Sequence, residues 1–193
     1  MHLSVDELRD KVEEFRSSGL NTQQIADELS LSQTTVQWLS ASDFEVDDKP
    51  VDVKVGWRSI AVKGERIEAI SYVFCDIIEE MVGEEIDTIV GVSINGIAFS
   101  QSVSSILDLE LAVVRSINED VAGHLSQVYA GVEGKRVVII DDVYSSGKTM
   151  RKIAEDLTLA GADVKLCMVL VNKSWDDDVG GYPLRALVRA ATV

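Results

Sequence analysis

The sequence predicts an α/β protein in which a parallel sheet flanked by helices follows a small all-α module. Three observations carry that expectation. Four nearly continuous apolar runs, IDTIVGV, ELAVV, RVVIID and VKLCMVLV, suit strands buried on both faces. Helical periodicity fills the segments between them. Residues 4 to 40 are helical in pattern throughout, and the polar stretch DFEVDDKP divides them from the rest.

Taken in order, Val5, Leu8, Val12 and Phe15 recur at helical spacing, Gly19 ends that helix, and Asn21 or Thr22 can cap the next. The proline-ended break marks a linker over 43–50, giving a helical domain at 1–42 and an α/β domain at 51–193. Strands are expected near 86–92, 110–115, 136–141 and 164–171, with helices near 65–82, 96–107 and 147–160. Cys75 and Cys167 fall in a helix and an apolar strand, as core thiols do.

With 193 residues and 46% hydrophobic content, the chain can bury a real core, which excludes intrinsic disorder as its main character. Its 33 acidic and 18 basic residues leave a net charge of −15. Such a surface repels nucleic acid at moderate salt, so DNA binding requires a local surface or a salt-rich cytoplasm. Two cysteines without CxxC spacing make a disulfide framework and a zinc site poor readings. The charged N-terminus lacks a signal-peptide core, which points to the cytoplasm. Residues 88–107 form the longest uncharged stretch, yet eight polar side chains make them unfit for lipid.

Thr22 to Leu39, TQQIADELSLSQTTVQWL, has the spacing of a helix-turn-helix. Ile25, Leu29, Leu31, Val36 and Leu39 can bury one face of two short helices, and small Ala26 suits their crossing. The turn falls at Ser30–Ser32, with Ser30 where glycine is common and Ser32 as cap of the second helix. Gln33, Thr34, Thr35, Gln37 and Trp38 are then expected on the outer face, where Gln and Thr can meet base edges in the major groove of double-stranded DNA. A helical cap used for dimerisation is the alternative. Residues 1–45 hold only Arg9, Lys11 and Arg16 against nine acids, few for phosphate contacts.

The strongest signal is VVIIDDVYSSGKTM, residues 137–150. An apolar strand ends in Asp141 and Asp142, and Ser145, Ser146 and Gly147 lead to Thr149 and a helix. Loop amides and a helix N-terminus converging on one point are how proteins hold a phosphate. The acids suit ribose hydroxyls. A Walker A loop is excluded, because the glycine it needs five positions before the Gly147–Lys148 pair is Asp142.

These residues resemble the phosphoribosyl pyrophosphate (PRPP) signature of type I phosphoribosyltransferases, whose acid pair precedes a Thr/Ser/Gly-rich loop. The resemblance implies that fold over residues 50–193, with Asp141 and Asp142 on the ribose hydroxyls. It further implies that Val143 lies within the binding segment and that Tyr144, Ser145, Ser146, Gly147, Lys148 and Thr149 cradle the 5′-phosphate. Ser93, Ile94, Asn95 and Gly96 resemble the family's pyrophosphate loop, and Arg115 in VVRS its PRPP-holding arginine. VDVKVGWRSI resembles the segment over the base site, making Trp57 and Arg58 candidates for contacting a base. Mg²⁺ enters with PRPP, without direct protein ligands. Over the whole chain the pattern is similar to orotate phosphoribosyltransferase-like proteins of archaea that carry an N-terminal helix-turn-helix and are regarded as transcriptional regulators. A homodimer is usual in this family. Trp175 and Tyr182 suit either base stacking or a core or dimer role.

In the enzymes a mobile loop supplies lysines and a histidine to the departing pyrophosphate. The matching stretch here, residues 115–136, carries Ser116 after Arg115, acids Glu119 and Asp120, no lysine before Lys135, and His124 as its one candidate cation. Losing one transition-state electrostatic donor typically costs about 10²–10³ in rate. The sequence thus favours a DNA-binding regulator that senses PRPP or a related nucleotide. An active transferase, with Lys148 or Arg58 replacing the missing cations, is the runner-up.

Overall fold

The computed structural model describes residues 4–41, 52–115 and 124–191, which divide into two compact units, the first ending at Gly56 and the second beginning at Trp57. The first holds three helices, α1 (Val5–Ser17), α2 (Thr22–Leu29) and α3 (Gln33–Leu39). Ser4 and Glu7 make a reciprocal capping box on α1, and Asn21 and Gln24 make another on α2, so Asn21 is the cap between the two candidates. Gly19, at φ +90°, takes the chain out of α1. Ser30 ends α2 in the left-handed region at φ 53°, a conformation that favours glycine. Val12, Ile25, Ala26, Leu29, Val36 and Leu39 form this unit's own core.

The segment 52–56, without helix or strand, sits with these helices. Asp52 Oδ2 accepts from the Ser32 amide and from the Thr35 hydroxyl, both at 2.7 Å.

The second unit is an α/β fold, a mostly parallel sheet flanked by helices. In chain order it contains α4 (Arg58–Ala61), α5 (Gly64–Val82), β1 (Thr88–Val92), α6 (Ser93–Leu107), β2 (Glu110–Arg115) and β3 (His124–Leu125). It continues with β4 (Arg136–Tyr144), α7 (Lys148–Leu159), β5 (Asp163–Asn172), β6 (Asp178–Val179) and β7 (Tyr182–Arg189). The sheet order is β3-β2-β1-β4-β5-β7-β6, parallel except where the two-residue strands β3 and β6 pair antiparallel at the edges. The four apolar runs form the expected strands. Strand β7 was not legible, because YPLRALVR mixes a proline and two arginines into its apolar positions.

Alternation along the strands splits the core between two layers. Val90, Val92, Ile139, Cys167 and Val169 pack with Met150, Ile153, Ala154 and Leu157 of α7. On the other face, α5 and α6 meet through Phe74 and Phe99, edge to face at 5.5 Å. A side chain at Gly91 would meet Ser100 Cβ at 3.0 Å, so glycine lets α6 lie close on β1. Asp87 ties the starts of β1 and β4, accepting from the Arg136 backbone and guanidinium at 2.8–3.0 Å. Those hydrogen bonds hold its carboxyl well below the usual carboxylate range. Burial pushes the Cys75 thiol up to about 11 and Cys167 up to about 12, as expected of core thiols. No helix among the described residues is long and apolar enough to cross a membrane.

Candidate functional site

Strand β1 runs beside β2 on one side and β4 on the other, and its outgoing connection leads to β2. The order therefore reverses at β1/β4, and a crevice opens outside the carboxyl ends of such strands. Gly91 pairs with Ile140, which brings the start of α6 against the end of β4. The residues read as a pyrophosphate loop form the first turn of α6 rather than preceding it.

That proximity is built by small residues. A Cβ on Gly96 would lie 2.6 Å from the Ile140 carbonyl and 2.9 Å from Asp141 Cα, so only glycine permits the approach. Ser93, in the left-handed region at φ 58°, turns its hydroxyl to donate to Asp141 Oδ1 at 2.9 Å. A non-glycine residue held there stores backbone strain, a frequent feature of binding sites. Ile94 is exposed at the tip.

Asp141 Oδ1 also accepts from the Asp142 amide at 2.9 Å. Asp142, only 7% exposed, accepts at Oδ2 from Asn95 Nδ2 at 3.1 Å and from Trp57 Nε1 at 2.8 Å. These donors are neutral, so they position the two carboxylates without cancelling their charge. Trp57 also packs on Phe99, with ring centroids 5.2 Å apart. The sequence pointed to Trp57 as a base contact, but its indole N–H is engaged on the acid pair. A hydrogen bond spanning 85 residues leaves no local pattern to read.

Beyond the acids, Val143 is half-buried, and Ser145–Gly147 bend into α7. Ser146 and Lys148 are exposed, and Thr149 lies in the first helical turn, whose amides have no intrahelical acceptors. The Tyr144 side chain turns away from the loop surface, so its share in the expected phosphate cradle falls to its backbone. Buried to 2% exposure, it lies beneath Gly147 and donates its hydroxyl to Asp176 Oδ2 at 3.0 Å. Its phenol is pushed up to about 12, first by burial and then by that bond. Sequence reasoning missed Asp176, which the Asn172 side chain steadies by donating to its carbonyl at 2.8 Å.

Val92 pairs with Val114, so Arg115 stands at the register of Ser93, exposed at the end of β2. Arg58 is exposed at the start of α4. Ser116, Glu119 and Asp120 lie outside the described residues, and His124 is described only as backbone in β3. Trp175 is 64% exposed, and Tyr182 packs on the core with its hydroxyl 2.8 Å from that of Thr158. Among the described residues, no group of three His, Cys, Asp or Glu side chains is placed to hold a metal ion.

In the first unit, Thr34 and Gln37 are exposed on α3, with Gln33 half-buried and hydrogen-bonded to Gln23. Thr35 corrects the outer-face expectation. It is 5% exposed because its hydroxyl turns inward to Asp52 and Ser32. Trp38 is half-buried against the helical core rather than projecting fully.

Residues 57–185 match the family model described as the phosphoribosyl transferase domain. The chain is 41% identical to a protein of Thermoplasma acidophilum named transcriptional regulator GfcR, covering 98% of each. It is 37% identical to the protein of that name from Picrophilus torridus, over 98% of this chain and 99% of that one. Among solved structures, adenine phosphoribosyltransferase from Thermoanaerobacter pseudethanolicus superposes with a TM-score of 0.60 at 20% identity, covering 73% of this chain and 90% of that one. Orotate phosphoribosyltransferase from Aeropyrum pernix gives 0.56 at 18% identity, covering 77% and 83%.

Proposed function

Because this chain belongs to the phosphoribosyltransferase family, in the archaeal group of proteins named transcriptional regulator GfcR, we propose that it is a cytoplasmic DNA-binding regulator. Its phosphoribosyltransferase-like unit binds PRPP, or a related nucleotide, as effector. The observation that carries the ligand half is the acid pair fixed by Ser93, Asn95 and Trp57 at the crevice, followed by the Ser145–Gly147 bend into α7.

In this reading Asp141 and Asp142 accept the ribose hydroxyls while loop and α7 amides take the 5′-phosphate. Ser93–Gly96 and Arg115 face the pyrophosphate. Mg²⁺ arrives with PRPP and offsets pyrophosphate charge, and the hard oxygens of the acid pair suit its neighbourhood. The N-terminal helices read double-stranded DNA through Gln33, Thr34 and Gln37, with Trp38 at the edge of that surface. Ground-state binding needs the acids and the phosphate loop, whereas transfer also needs cations that residues 115–136 lack in sequence, apart from Arg115 and the end pair Lys135 and Arg136. Transferase activity is therefore at most a trace.

The test is a thermal-shift titration with PRPP and Mg²⁺, joined to a gel shift on genomic fragments at two salt concentrations. Ligand at 100 times its Kd contributes about 2.7 kcal/mol of stability, and Asp141→Asn with Asp142→Asn removes the shift. A parent protein that ignores millimolar PRPP refutes the effector role. Pyrophosphate release at about 1 s⁻¹ or faster with a purine or pyrimidine base makes it an enzyme instead.

A further inference from the structure

Two of the contacts above lie on one short piece of chain. Asp52 holds the Ser32 amide and the Thr35 hydroxyl at the start of α3. Five residues later, Trp57 holds Asp142 in the ligand site. Each bond is internal to its own unit, and residues 52–56 between the two anchors carry no helix or strand. We propose that Asp52–Trp57 is a coupling strap: a ligand whose ribose hydroxyl takes Asp142 Oδ2 displaces the Trp57 indole and thereby frees Asp52 from α3. The inference deepens the effector reading and rests on it.

The chemistry at the Trp57 end sets which group gives way. A carboxylate oxygen offers about two acceptor directions. Asp142 Oδ2 already fills both, with Trp57 and Asn95. A hydroxyl arriving at that oxygen must replace one of them. Asn95 lies in the first turn of α6, which the close approach at Gly96 holds against β4. Trp57 stands at the end of an irregular segment, with its ring packed on Phe99. The O–H···carboxylate bond is short and charge-assisted, so a ribose hydroxyl is a strong competitor for a neutral indole N–H.

At the other end, loss of Asp52 does not unravel α3. Ser32 Oγ still caps the Thr35 amide at 3.1 Å, and the two hydroxyls still bond each other at 2.8 Å. What is lost is the anchor on the first residues of α3, from which Gln33 and Thr34 project. Ligand occupancy is then coupled to the order of the surface assigned to DNA, and by linkage the coupling is reciprocal.

The Ser32 amide reports the strap directly. Residue-resolved hydrogen exchange on the full chain, with and without saturating PRPP and Mg²⁺, should show exchange at Ser32 accelerating about tenfold on binding. Trp57→Phe keeps a ring but has no N–H. It should bind PRPP about three- to tenfold more tightly, and Ser32 exchange should no longer respond to ligand. Asp52→Ala approaches from the other end and should tighten PRPP by a similar factor. The strap is overturned if PRPP raises the melting temperature of the parent while Ser32 exchange stays unchanged. It is equally overturned if Trp57→Phe keeps the ligand response, or if Asp52→Ala leaves PRPP affinity unaltered. Absence of any PRPP-dependent thermal shift in the parent is a different result, which removes the effector reading and the strap together.

Discussion

Gly147 concentrates the demands of the Ser145–Gly147 bend in one residue. Its φ is +70°, and a Cβ there would fall 2.2 Å from the Tyr144 hydroxyl oxygen. Gly147→Ala meets left-handed strain and a collision with a buried ring, so it should cost about 1–3 kcal/mol in chemical denaturation. Tyr144 itself gives the protein an alkaline limit. Its folded pKa of about 12 lies above the ordinary 10.0, so the native state retains a proton that the unfolded chain releases. The stabilisation is complete below pH 10 and fades as pH rises through 12. Tyr144→Phe should flatten that part of the curve of melting temperature against pH. At neutral pH it should cost about 1 kcal/mol for the lost bond to Asp176.

At the scale of elements, α3 divides into a buried side that holds Thr35 and an exposed side that carries Thr34 and Gln37. Gln33→Ala, Thr34→Ala and Gln37→Ala together should erase operator preference in a gel shift, at about 1–3 kcal/mol per good base contact, while leaving PRPP binding intact. Thr35→Ala belongs to the other side. It removes a buried hydroxyl and should destabilise the helical unit by about 1–2 kcal/mol, read from circular dichroism on melting. This division also shows what the sequence could reveal. RVVIID followed by DVYSSGKTM was legible because strand, acid pair, small loop and helix are local and contiguous. So were Ser32 as a cap and the buried faces of α2 and α3, since capping and periodicity act within a few residues. Thr35 was placed outside because helical spacing fixes only an angle, and the partner that draws it inward, Asp52, lies 17 residues away. The hydrogen-bond partners of Trp57 and Tyr144 were hidden for the same reason, since Asp142 and Asp176 lie 85 and 32 residues away. Tyr182–Arg189 hid as a strand because its pattern is half polar, and pairing with β5 and β6 decides it.

For the molecule as a whole, the proposed DNA reading needs two copies of α3 related by a dyad with half-sites about 34–36 Å apart, because one short helix reads too few base pairs for useful specificity. We expect a homodimer through the phosphoribosyltransferase-like unit and a palindromic operator, checked by sedimentation at micromolar concentration and by footprinting. A protein that is monomeric and silent towards DNA at low salt contradicts the regulator reading. The two units also differ in how far along the chain their contacts reach, and that difference has a temporal consequence. The helical core is complete once Leu39 is in place, whereas β1 cannot gain its β4 neighbour until Val137–Ile140 follow, and β5 waits for β7 near the end. Local contacts form quickly, and distant strand pairing must first close long loops. During synthesis the helices can therefore mature while Thr88–Val92, an apolar strand, still lacks its β4 neighbour. Refolding from denaturant should show an early helical phase followed by a slower one, with Trp57 emission changing only in the second.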